Sequence, residues 1–90
     1  MTADINMKLE DDETPLHWAV LSGNNEIVST LLNFYAEVNA QNNQGKTPLH
    51  LACSVGNTLL AKLLCQSSEI IIDIPDNKGD TPLHLACAAL

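Results

Sequence analysis

The 90-residue sequence has no arginine and only four lysines, set against eleven acidic residues, for a formal net charge of −7. Phosphate contacts need clustered basic side chains, so this balance argues against a nucleic-acid partner. It argues equally against an anionic membrane surface. No apolar run approaches the ~20 residues needed to span a bilayer, and no basic stretch followed by an apolar one marks a secretory leader. Three cysteines are an odd number and do not suggest a disulfide framework, so a reducing cytosolic or nuclear setting is the simplest expectation. Glycine and proline are ordinary in number and no segment is low in complexity. A chain this short makes at most one small domain and buries only roughly 60–65% of its unfolded surface.

What is present is repetition. "TPLHWAV" begins at Thr14 and "TPLHLAC" at Thr47 and again at Thr81, spacings of 33 and 34 residues. Other positions keep the same register: Gly23 with Gly56, Gly45 with Gly79, Ile27 with Leu60, Leu31 with Leu64, Val38 with Ile72. Each unit reads as two short antiparallel helices. Thr14, Thr47 and Thr81 are the N-caps, and Pro15, Pro48 and Pro82 occupy the first helical position, where a missing N–H costs nothing. Gly23 and Gly56 supply the left-handed residue that ends the first helix. The second helix is expected to bury Ile27, Val28, Leu31 and Leu32 in one unit, and Leu60, Ala61, Leu64 and Cys65 in the next. The polar link "AEVNAQNNQGK" ends in glycine, as a hairpin-like turn would.

This pattern resembles the ankyrin repeat, a unit of about 33 residues with a T-P-L-H-x-A signature. The resemblance covers nearly the whole chain, and three copies in phase make it specific. It implies an all-α solenoid of stacked helix–turn–helix units with projecting β-hairpin loops. The units divide as 1–13, the tail of a preceding repeat; 14–46 and 47–80, two complete repeats; and 81–90, the first helix of a further one. The chain therefore reads as a window on a longer array. Asp12 stands where the tip glycine belongs, and Tyr35 and Ser68 fall near the usual glycine after the second helix. The extra residue of the 34-residue unit is expected within "SSEII".

Histidines 17, 50 and 84 invite a metal or catalytic reading. Each takes the fourth place of "TPLH", however, and stacked units set equivalents roughly 10 Å apart, too far to share one zinc ion. The resemblance instead implies that His17, His50 and His84 hydrogen-bond their cap threonines and neighbouring loop backbone. Cys53, Cys65 and Cys87 are expected to be buried thiols, and Trp18 a core residue of the first unit. No Gly-rich phosphate loop or nucleophile–base pair is present, so neither an enzyme nor a cofactor is expected.

The resemblance implies protein binding through the loop tips and the groove-facing side of the inner helices. It places Glu10, Asp11, Glu13, Asn43, Gln44, Lys46, Asn77, Lys78 and Asp80 on the tips, and Leu21, Ser22, Ser54 and Val55 late on the inner helices. The acidic run Glu10–Glu13 points to a basic partner, or equally to a solvated turn that favours the following helix dipole. The alternative is a structural spacer or regulatory segment of a longer ankyrin-repeat protein. Asn39, in "VNA", matches a place where some ankyrin proteins are hydroxylated. The apolar face of the last segment, Leu83, Ala86 and Leu90, invites self-association.

Overall fold

The computed structural model describes residues 5–84, which hold four α-helices and one 3₁₀ turn, with residues 82–84 helical as well. The helices are α1 (Pro15–Ser22), α2 (Asn25–Asn33), α3 (Pro48–Ser54) and α4 (Thr58–Cys65); the 3₁₀ turn is Glu10–Asp12. Helix α1 pairs with α2 and α3 with α4, and the pairs stack with α1 on α3 and α2 on α4. The result is elongated, 42 × 25 × 23 Å, as a stack of like units must be.

Local chemistry sets each helix start. Thr14 and Thr47 lie in extended conformation before Pro15 and Pro48, and each hydroxyl accepts the N–H three residues on, from His17 and His50. Asn24 and Asn57 cap α2 and α4 in the same way, accepting from Ile27 and Leu60. Gly23 and Gly56, at φ 72° and 73°, reverse the chain between the paired helices.

The two units leave their second helices differently. After α2 the N–H of Ala36 bonds Leu31 O and that of Tyr35 bonds Leu32 O, a Schellman closure that forces Tyr35 to φ 64° where glycine is preferred. After α4 the extra residue is used instead. Ser67 N–H bonds Leu64 O, Ile70 N–H bonds Ser67 O, and no left-handed residue is needed there. Insertion and strain are two solutions to one exit geometry.

The core runs along the stack: Leu16, Ala19, Val20, Val28, Ala36 and Val38 from the first unit against Leu49, Leu51, Ala52, Leu60 and Leu64 from the second. Several expectations fail in an instructive way. Of the four apolar residues expected inside α2, only Val28 is buried, while Ile27 is 49% exposed. Its equivalent Leu60 is fully buried, because the first unit lies against it. Trp18 is half-exposed for the same reason, where its equivalent Leu51 is buried. Cys65 is exposed and Cys53 half-buried, both as free thiols. Cys87, Ala86 and Leu90 lie outside the described residues. No β-strand occurs among the described residues, so the projecting loops are closed by turns and not by a ladder.

Candidate protein-binding surface

The second and third loop tips are each built around one buried polar side chain. Asn42 Oδ1 accepts the N–H groups of Gln44 and Lys46, both at 3.0 Å, while Asn42 N–H bonds Lys46 O at 2.9 Å. Asp76 repeats the arrangement, accepting from Lys78 and Asp80 at 2.9 Å, with its own N–H on Asp80 O at 2.8 Å. Burial disfavours the Asp76 charge, but the Asp80 and Lys78 N–H groups outweigh it and hold the carboxyl below its ordinary value. Neither Asn42 nor Asp76 was singled out by sequence reasoning. The signal lay in their shared place five residues before the cap threonine and three before Gly45 and Gly79.

The first tip has Leu9 at that place and Asp12 for the glycine. It keeps the backbone closures, Leu9 N–H to Glu13 O at 2.6 Å and Asp12 N–H to Leu9 O at 3.1 Å. Without the organising side chain it folds into the 3₁₀ turn, with Asp11 and Asp12 both at φ 60°. Two left-handed aspartates are tolerable because Asp enters this region more readily than most residues.

Neighbouring tips are bonded edge to edge. Asn43 N–H donates to Asp11 O and Asn77 N–H to Gln44 O, both at 2.9 Å. Asn77 lies so close to Gly45 that a Cβ there would sit 2.8 Å from its backbone nitrogen. Below the tips, Asn39 ties unit to unit: its Nδ2 donates to Glu69 O at 2.8 Å and its Oδ1 accepts from Ile71 N–H at 2.9 Å.

The histidines brace this scaffold. His17 and His50 are fully buried. Each Nε2 faces a carbonyl of the next unit, Lys46 O at 2.8 Å and Asp80 O at 2.9 Å. A carbonyl only accepts, so Nε2 carries the proton and Nδ1 is left to accept. It does so from the backbone N–H of Thr14 or Thr47 at 3.0 Å, with the threonine hydroxyl at 2.9 Å. Burial pushes the His17 imidazole below its ordinary value, against the opposing pull of Lys46 O and Glu13. The rings are engaged in structure, and no cluster of metal-ligating side chains occurs among the described residues.

The match of sequence to family follows this geometry. A family model for ankyrin repeats in three copies matches residues 1–75 and 34–89. The chain belongs to the ankyrin-repeat family. Comparison with curated proteins gave no match. Ankyrin repeats are in general non-catalytic protein-interaction modules. In this ankyrin chain Glu10, Asp11, Asn43, Gln44, Asn77 and Lys78 are exposed on the three tips, with Glu13, Lys46 and Asp80 partly covered at their bases. Leu21 and Val55 are 51% and 58% exposed at the ends of α1 and α3. Ser22 and Ser54 are exposed beside them, their hydroxyls turned back onto Ala19 O and Leu51 O. The third copy of the motif is seen in Thr81–His84, where His84 Nδ1 accepts from Thr81 N–H at 2.9 Å.

Proposed function

We propose that this chain binds a protein partner through the tips and the exposed ends of α1 and α3, and carries out no reaction of its own. The observation that carries the reading is the exposure of Leu21 and Val55. Apolar side chains left open at the ends of otherwise buried inner helices form a contact core, with the polar tips as its rim. The residues that bind are then Glu10, Asp11, Glu13, Asn43, Gln44, Lys46, Asn77, Lys78 and Asp80 on the tips, with Leu21, Ser22, Ser54 and Val55 below them. The strained, acidic first tip favours a basic patch on the partner. The free thiols of Cys53 and Cys65 accord with a reducing cytosolic or nuclear compartment.

Replacing Leu21, Lys46 and Val55 together by alanine tests the reading. Partner capture should be lost while thermal stability stays nearly unchanged. Capture that survives the triple replacement would put the contact on another surface, and no capture by the unsubstituted chain would favour the spacer alternative. Self-association through the C-terminal segment is a second reading, supported by Leu83, which is 70% exposed.

A further inference from the structure

Consecutive loop tips enclose two clefts, one on each side of the second tip, and the two are built alike. The first, about 260 Å³, lies between Asp11 and Glu13 on one wall and Asn42, Asn43 and Gln44 on the other. The second, about 150 Å³, lies between Asn43, Gln44 and Lys46 on one wall and Asp76, Asn77 and Lys78 on the other. The backbone register is the same in both: Asn43 N–H donates to Asp11 O and Asn77 N–H to Gln44 O, each at 2.9 Å. Each cleft has a tip on both sides, so its opening does not depend on what precedes or follows these units.

Equivalent places in the two clefts differ in charge. Asp11 and Glu13, three residues and one residue before the cap threonine, line the first; Gln44 and Lys46 hold those places in the second. On the opposite wall Gln44 lines the first cleft and its equivalent Lys78 the second. The first cleft thus carries two carboxylates and no cation among its lining residues, and the second carries two ammonium groups. Asp76 lines the second as well, but it is 7% exposed and its Oδ1 already accepts the Lys78 and Asp80 N–H groups at 2.9 Å. The carboxylates of the first cleft hold only long contacts, Asn43 Nδ2 to Asp11 Oδ1 at 3.4 Å and Asn42 Nδ2 to Glu13 Oε2 at 3.5 Å. Neither Lys46 nor Lys78 has its ammonium group hydrogen-bonded or ion-paired among the described residues.

We propose that the partner is a protein segment presenting one basic and one acidic group to this side, the basic group between Asp11 and Glu13 and the acidic group between Lys46 and Lys78. The clefts repeat with the stack, so the two groups stand roughly 10 Å apart, one helix-packing distance. Leu21 and Val55, exposed at the ends of the inner helices, supply the apolar contact. The net charge of −7 taken alone would favour a uniformly basic partner. Such a face would set like charge against Lys46 and Lys78, which disfavours it and makes the pair of opposite charges the selective feature. This rests on the reading that the tips and inner helices bind, and adds the polarity and spacing of what they bind.

Random peptides displayed on phage and selected on the 90-residue chain provide the probe. Enriched peptides should share a basic and an acidic residue at one fixed separation. Fluorescence anisotropy of one such peptide against charge-reversed variants then assigns each residue to its cleft. Asp11→Asn with Glu13→Lys should weaken binding by about tenfold or more, and exchanging the peptide's basic residue for glutamate should restore it. Asparagine is used at position 11 because it also accepts the left-handed backbone there. Lys46→Glu with Lys78→Glu should weaken binding likewise, and exchanging the peptide's acidic residue for lysine should restore it. If circular dichroism shows either pair to cost the fold, Glu13→Gln and Lys46→Gln replace them, each expected to weaken binding and lessen its salt dependence. Enriched peptides without the charge pair, or indifferent to both reversals, overturn the two-cleft proposal. If those peptides still lose binding to a Leu21→Ala, Val55→Ala chain, the tip-and-groove reading stands without it. Peptides that bind that chain unchanged as well, or no enrichment at all, overturn the proposal and the reading together.

Discussion

Replacing His50 with alanine removes a fully buried ring that bridges two units. The N–H of Thr47, itself 1% exposed, loses the Nδ1 acceptor it holds at 3.0 Å. Leaving a buried donor unsatisfied costs about 1–3 kcal/mol. The vacated ring volume between α3 and the next tip adds on the order of 1 kcal/mol where the surroundings cannot close. The loss is therefore roughly 2–4 kcal/mol, out of the ~5–10 kcal/mol that a chain of this size holds. At about 4–8 °C per kcal/mol, the midpoint should fall by at least about 8 °C. His84→Ala is the control: its threonine bonds are the same kind, but the site is exposed and water replaces the lost acceptor, so the cost stays below about 1 kcal/mol. Thermal unfolding followed by circular dichroism compares the two. Equal shifts, or an unchanged midpoint in His50→Ala with partner binding abolished, would refute a bracing role for these histidines.

Acid should weaken the stack through His17. Its folded value lies below the ordinary 6.5, so the unfolded chain takes up the proton first, and its stabilising contribution, full above pH 6.5, is lost as pH falls below that value. Urea titrations on both sides of pH 6.5 check this, and His17→Gln should flatten that part of the dependence. Gly45→Ala should cost more than Gly79→Ala: both replace a left-handed glycine, at about 1 kcal/mol each, but only at Gly45 does the new Cβ meet Asn77. Chemical denaturation of the pair reads the difference. Asn39→Ala should lower stability by about 1–2 kcal/mol through its two inter-unit bonds. Hydroxylation of Asn39 is expected in the cellular protein, and mass spectrometry finding it uniformly unmodified would contradict that expectation.

Much of the architecture was legible because local chemistry and long-range pattern agree. Thr-Pro-Leu-His states its own cap, first turn and brace within four residues, and the in-phase glycines mark each reversal. What was not legible depends on neighbours. Ile27 and Leu60 are equivalent in sequence, and only the presence of an adjacent unit makes one exposed and the other buried. Trp18 was assigned to the core on the same equivalence and fails for the same reason. The tip organisers Asn42 and Asp76 were hidden because a polar residue in a polar loop looks solvated, and its burial follows from the loop closing around it. For the binding surface, exposure at Leu21 and Val55 is structural fact, while the partner's identity is written in a complementary surface that this chain does not contain.

The central claim, that binding belongs to the tip-and-groove side of the stack, is tested most directly by site-specific photocrosslinking in cells. A photoreactive residue is placed at Leu21 or Val55 on the inner helices, and at Thr30 or Leu59, exposed positions on α2 and α4. The account predicts one discrete crosslinked protein from positions 21 and 55 and none from 30 and 59. The same adduct formed only from positions 30 and 59 would contradict it.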